Sequence, residues 1–228
     1  MCYDLCVHQL PSAEGPRRPV LWRQLVAGLL LFGVYLVVNS LENPARRAAA
    51  DRHGHAIYDL EQRLHIDIEL TLNRWLAPRD VLSTLANYEY AWTYILSALA
   101  LFVWVWVRRP DLWRYTRDSF IVLNLLAIGC FAAYPTTPPR LLPSLGFTDT
   151  VSQGGTVGSW GSSLVDTANQ LAAMPSLHVG WALWVSVVLA RITARRSMQI
   201  LSGLHVALTV LVVMPTGNHY LLDAIAVV

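Results

Sequence analysis

Three short stretches carry side chains able to do chemistry together: 134–143 (YPTTPPRLLP), 174–178 (MPSLH) and 216–223 (TGNHYLLD). In the last, His219 and Asp223 stand four apart, so a helix would place them on one face. A carboxylate there accepts the imidazole Nδ1–H, fixes the tautomer, leaves Nε2 as a nucleophile and stabilises the ring when it becomes cationic. In the second stretch Ser176 suits the N-cap of a following helix, whose first-turn N–H groups hold an anion. His178 falls in that turn, placed to give a proton to a leaving oxygen. In the first, prolines forbid a continuing helix and would hold Arg140 beside it; a guanidinium clamps phosphate through two hydrogen bonds. Each stretch alone also reads as a capped helix, a self-paired polar couple or a snorkelling arginine. Their joint occurrence points to phosphate chemistry.

The elements that must position these groups are membrane helices. Of 228 residues, 54% are hydrophobic and 14% charged, where soluble domains carry about 25% charge. Mean hydropathy is +0.41. A net charge of +2 is too small to suggest a nucleic-acid partner, and all 17 basic residues are arginine. Cys2, Cys6 and Cys130 show neither metal-type spacing nor a disulfide framework. Runs at 20–41, 88–107, 118–135, 177–194 and 198–215 are long enough to cross a bilayer, which takes about 20 residues. A sixth starts near His219. Ten residues rise about 15 Å, so the sequence looks truncated inside this helix, or the helix is broken there. The expected fold is all-α: a polytopic bundle of about six transmembrane helices forming one domain over 20–228, after a cytoplasmic tail at 1–19. Segment 56–76 repeats apolar residues at helical period (Ile57, Leu60, Leu64, Ile68, Leu72, Trp75) but is too charged to span. It is expected as an amphipathic helix on the membrane surface or over the site.

Arginines set the expected orientation. Arg17, Arg18 and Arg23, then Arg108, Arg109, Arg114 and Arg117, then Arg191, Arg195 and Arg196 flank the spans on one side, which is read as cytoplasmic. Arg140, His178 and His219 then face the extracytoplasmic side. Six arginines also lie in 42–80, offset by seven acids. The all-arginine, alanine-rich usage hints at a GC-rich bacterial genome, hence a bacterial plasma membrane.

In this order and on one face, the three stretches resemble the motifs of the type 2 phosphatidic acid phosphatase (PAP2) superfamily of lipid phosphatases and phosphotransferases. The resemblance covers roughly 85–228. "HYLLD" and "PPRL" look like its inositolphosphotransferase, or inositol phosphorylceramide synthase-like, branch. It implies a six-helix membrane enzyme without a metal or other cofactor, acting on a lipid phosphate. By position, His219 inherits the nucleophile, Asp223 its orienter, His178 the general acid, and Arg140 and Ser176 the phosphate contacts. The family pattern K-x(6)-R-P, P-S-G-H, S-R-x(5)-H-x(3)-D is not fully kept: Ala133 stands for the lysine, Leu141 for the proline, Leu177 for the glycine and Val213 for the third-motif arginine. One of three expected cations remains. A phosphodiester is a monoanion and a phosphomonoester nearly a dianion, so fewer cations favour the former. Arg46, Arg47, Arg52, Arg74 or Arg79 are alternative sources of the missing charge.

The leading expectation is a lipid phosphotransferase or phosphatase working through a phosphohistidine, tilted towards head-group transfer such as inositol phosphate. The alternatives are a lipid phosphomonoesterase, or a non-catalytic bundle holding haem or metal through His178, His205 and His219. A transporter finds little support, with no repeats evident. His53 and His55 make a poor metal site alone. His205 is expected to hydrogen-bond inside the bundle and His65 to be solvated. The glycine-rich stretch 152–166 is expected as a loop over the site, with Trp160 touching lipid or head group. Oligomeric state, head group and acceptor stay open.

Overall fold

The computed structural model describes residues 19–153 and 169–227; Cys2, Cys6, Trp160 and most of the glycine-rich stretch lie outside them. The order is α1 (Leu21–Asn39), α2 (Pro44–Leu64), α3 (Glu69–Leu76), α4 (Asp80–Tyr88), a π-helical turn (Glu89–Thr93), α5 (Tyr94–Arg108), α6 (Trp113–Ala133), the single turn α7 (Thr150–Gln153), α8 (Leu177–Ile192), α9 (Arg196–Val213) and α10 (Leu221–Ile225). Strand-like pairing among the described residues is limited to one bridge, Thr136 to Ala172. The fold is an all-α membrane helical bundle. Among the described residues four helices are long and apolar enough to cross a membrane: Leu21–Asn39, Asp80–Arg108, Pro110–Ala133 and Arg196–Val213; Leu177–Ile192 is apolar but shorter. The sixth expected helix is the five-residue α10.

Apolar burial cannot hold helices together in lipid, so packing and polar links do. α8 lies along α9 and against α5 and α6, while α1 leans on α6. An aromatic cluster of Phe102, Trp113, Phe120, Trp181 and Trp184 fills one half of the bundle. Polar links join the helices: Trp184 Nε1 donates to Ser119 Oγ (2.9 Å), Trp181 Nε1 to Asn124 Oδ1 (3.2 Å), and Thr209 Oγ1 to Glu89 Oε1 (3.2 Å). Ser97 Oγ meets His205 Nε2 at 3.1 Å. The guanidinium of Arg191 lies over the Tyr115 ring, which gathers the arginine-rich loops at one end. The histidine loops lie at the other.

Polarity at the histidine end is arranged inside out. Leu60, Leu64, Ile68 and Trp75, four of the six stripe residues of 56–76, are exposed. Glu61, which the stripe left outside, is fully buried with Ala50, Gly54, Ile57 and Tyr58. The segment is also two helices rather than one. Asn43 caps α2 by accepting from Arg46 N, Pro44 takes its first turn, and His65 ends it in the left-handed region at φ 56°. The next span starts at Asp80, eight residues before the apolar run, because Ser83, Asn87 and Glu89 turn inward while Val81 and Leu85 face out. Asn87 Nδ2 donates to Thr150 O. Intramembrane polar groups seek the protein interior, which turns these apolar residues outward.

α2 reaches the loops of the site at Gly54. A Cβ there would stand 2.7 Å from Thr137 O, 2.7 Å from Tyr220 Oη and 2.8 Å from Leu142 Cδ1. The Tyr220 hydroxyl itself donates to Thr137 O at 2.9 Å. Arg46 gives both guanidinium ends to the last carbonyls of α6, Phe131 O and Ala132 O, where a cation suits the helix terminus. Gly54→Ala forces α2 off this contact. The expected cost is about 1–3 kcal/mol, read as a lower midpoint of thermal aggregation in detergent. An unchanged midpoint would show that α2 can retreat freely.

Candidate functional site

His219 precedes α10 rather than riding on it. Tyr220 is the N-cap, and Asp223 sits in the first turn with Oδ2 accepting Tyr220 N–H at 3.0 Å. His219 Nδ1 lies 2.8 Å from the carbonyl of Ala173 and 3.5 Å from Asp223 Oδ2. A carbonyl only accepts, so Nδ1 carries the proton and Nε2 the lone pair. The expected tautomer follows, but a backbone oxygen makes the shorter contact and the carboxylate adds charge from slightly further away. The difference arises because the chain is not yet helical at His219, so the i, i+4 geometry is only approximate.

Nε2 of His219 points at Nδ1 of His178, 3.4 Å away. Since Nε2 accepts, His178 Nδ1 is the donor, and a line runs from His178 through His219 to Ala173. His178 is gripped by two aromatic rings. Tyr90 stacks on it at 4.2 Å with planes 19° apart, and Tyr94 meets it at 4.2 Å and 55°. Both tyrosines come from the π-helical turn and the residue after it, and such turns recur at functional sites.

Arg140 follows Pro138 and Pro139 in a 3-10 turn. Its backbone N–H donates to Gly217 O at 2.9 Å, Nε to Asn218 Oδ1 at 2.8 Å and Nη1 to Asp149 Oδ2 at 2.7 Å. Gly217 sits at φ +71°, and a Cβ on it would approach Arg140 Cβ to 3.1 Å. The guanidinium is therefore locked beside His219 and partly neutralised by Asp149. Ser176 is fully buried; its Oγ caps α8 at Val179 N (3.4 Å) and its N–H donates to Asp223 O (3.2 Å).

Arg140, His178, Asn218 and His219 form the polar end of a cavity of about 680 Å³, whose other walls include Leu31, Phe32, Ile95 and Phe131. Ser176 and Asp223 do not line it: the first serves the helix cap, the second stands behind His219. Arg140 is the one cation lining it among the described residues. The alternative cations are engaged elsewhere in three cases. Arg46 caps α6, Arg47 pairs with Glu42 and Asp51, and Arg79 binds Trp75 through its carbonyl and ring. His53 bonds Pro135 O through Nδ1, and His55 bonds Asp51 O and Ser144 Oγ. These two histidines point to different partners, and no group of three metal-ligating side chains occurs among the described residues. His205 pairs with Ser97 while His178 and His219 face each other.

Tyr90, Tyr94, Asp149, Asn218 and the Ala173 carbonyl were not anticipated. Asn218 adjoins His219, and Tyr90 and Tyr94 show helical spacing, which were the available signals. A backbone carbonyl leaves none.

Residues 55–228 match the family model described as the PAP2 superfamily. The chain therefore belongs to the PAP2 superfamily, as a phosphatase- or phosphotransferase-type membrane enzyme. No curated protein and no solved structure matches it.

Arg140→Met would leave the buried Asn218 carbonyl oxygen without its donor and Asp149, still held by Ser152, without its counter-charge. The expected loss is about 1–3 kcal/mol of stability, seen in thermal denaturation, with partial recovery when Asp149→Leu is added. Equal stability of Arg140→Met and wild type would mean that the lock carries no energy.

Proposed function

We propose that the protein transfers or hydrolyses the phosphate of a membrane lipid through a phosphohistidine on His219, at the extracytoplasmic face. One observation carries this reading: the paired nitrogens of His219 and His178 and the guanidinium of Arg140 converge at the polar end of a cavity with apolar walls. A phosphorylated head group suits the first and an acyl or isoprenoid chain the second. The arginine-rich loops at the opposite end favour a cytoplasmic placement for that end.

In the proposed sequence, Arg140 and the first-turn amides of α8 hold the phosphate oxygens. His219 Nε2 attacks phosphorus in line, the N–P bond forms and the P–O bond to the leaving group breaks. His178, protonated on both ring nitrogens once the phosphate is bound, gives its Nδ1 proton to the leaving oxygen and is left neutral. Its neutral ring then takes a proton from water or an alcohol, whose oxygen attacks phosphorus and frees His219. A reacting phosphorus stands about 3–3.5 Å from its nucleophile. The two histidine nitrogens are 3.4 Å apart, so His178 must draw aside to admit it. The tyrosines then serve as the surface against which it moves.

A single lining cation, already shared with Asp149, favours a singly charged phosphodiester, and with it transfer of a head group such as inositol phosphate. The test is turnover by detergent-purified protein on phosphatidic acid, a polyprenyl phosphate and phosphatidylinositol, with and without an alcohol acceptor, read by mass spectrometry and free phosphate. His219→Ala is expected to lose at least about a thousandfold. Tyr90→Leu is expected to lose part of the ~10²–10⁴-fold that a positioned proton donor contributes. Turnover retained in His219→Ala would sink the phosphohistidine. Free phosphate from a monoester, lost in the same variant, would retire the charge-count preference and make the enzyme a phosphatase.

A further inference from the structure

Behind His219 lies a group of acids that the proposed chemistry does not use. Glu61 on α2 and Glu69 on α3 are both fully buried. Glu61 Oε1 accepts the N–H of Leu222 at 2.7 Å, in the first turn of α10 and next to Asp223. The carboxyl of Glu69 lies within hydrogen-bond reach of Glu61. Among the described residues no donor reaches Glu61 Oε2, either oxygen of Glu69, or Asp223 Oδ1. The titratable groups facing Glu61 are Glu69, Asp223 and the hydroxyl of Tyr220, with Tyr58 and Arg74 flanking the group. Two adjoining buried carboxylates with a third nearby cannot all be charged at modest cost; one proton between the first two supplies the missing donor.

We propose that Glu61 is a protonated positioning residue: Oε1 holds the start of α10 through Leu222 N–H, the proton on Oε2 bonds the Glu69 carboxylate, and the arrangement fixes Asp223 behind His219. Glu61 touches neither substrate nor His219 and acts only through α10. Burial, the contact with Glu69 and the charges of Glu69 and Asp223 push its carboxyl up to about 9, against the lowering effect of the Leu222 N–H. The folded chain therefore keeps a proton that the unfolded chain releases. This group's contribution to stability declines as pH rises from the ordinary carboxyl range to about 9, and Glu61 ionises beyond that. Ionised, it repels Glu69 and Asp223, and α10 loosens.

Glutamine copies protonated glutamate here: its oxygen accepts from Leu222 N and its amide donates to Glu69. Glu61→Gln is therefore expected to keep near-wild-type turnover at neutral pH and to hold it where wild type declines, as pH passes about 9. Glu61→Ala, if it folds, is expected to lose about 10–100-fold in kcat with KM little changed. These turnover readouts rest on the proposed role of His219. An infrared difference spectrum of wild type minus Glu61→Gln does not: it is expected to show a neutral carboxyl C=O band at pH 7 that disappears above pH 9. Absence of that band overturns the proton assignment whatever the enzyme does. A folded Glu61→Gln as impaired as Glu61→Ala, or with an unchanged alkaline limb, overturns it too. An unimpaired Glu61→Ala overturns the positioning role. The band present with no turnover on any lipid would leave the proton in place and count against the proposed reaction alone.

Discussion

The hydrogen bond from His219 Nδ1 to the Ala173 carbonyl is the constraint around which the histidine end is arranged. A bare imidazole in a low-dielectric setting could rotate or exchange tautomers; a carbonyl at 2.8 Å forbids both. That carbonyl belongs to a loop, so the loop must itself be fixed. Ala173 N–H donates to Thr136 O at 3.1 Å, and Thr136 N–H donates to Leu171 O at 2.8 Å. Thr137 binds α2 through Asp51, at 2.6 Å, and through Ala50 O. From this follows the need for α2 to approach closely enough that Gly54 has no room for a Cβ. A helix outside the three motif stretches is thus a structural part of the site, because it braces the loop that braces the histidine.

The same bracing explains what could be read in the sequence and what could not. The all-α bundle was legible because apolar runs of about 20 residues have few other uses. The residues His219, His178 and Arg140 were legible as chemistry because ionisable groups beside such runs are costly without a purpose. The chain brings all three to one cavity. The amphipathic pattern of 56–76 was legible, but its division into α2 and α3 at His65 was not. Glu61 carried no signal of its burial, because a charged residue off the apolar stripe reads as solvated. Asp149, nine residues and about 30 Å of extended chain after Arg140, carries no local signal of its contact with it. The Ala173 carbonyl carries none at all, since every residue has one.

Charge, finally, distinguishes the two sides of His219. On the cavity side one guanidinium is shared with Asp149; on the far side three carboxyls stand behind the imidazole. The positive ring of a phosphohistidine would face the Asp223 carboxyl behind it, while an incoming phosphate meets only part of one positive charge. Binding strength for a dianion is not what this arrangement supplies. It supplies a histidine whose Nε2 is held towards the cavity. In the proposed reaction that balance suits a substrate carrying little charge and deriving its affinity from its apolar chain, since only interactions that strengthen as the proposed N–P bond forms would accelerate the step. The acids can serve this end only if they do not repel one another enough to undo α10, and a carboxyl that stays neutral among them meets that condition.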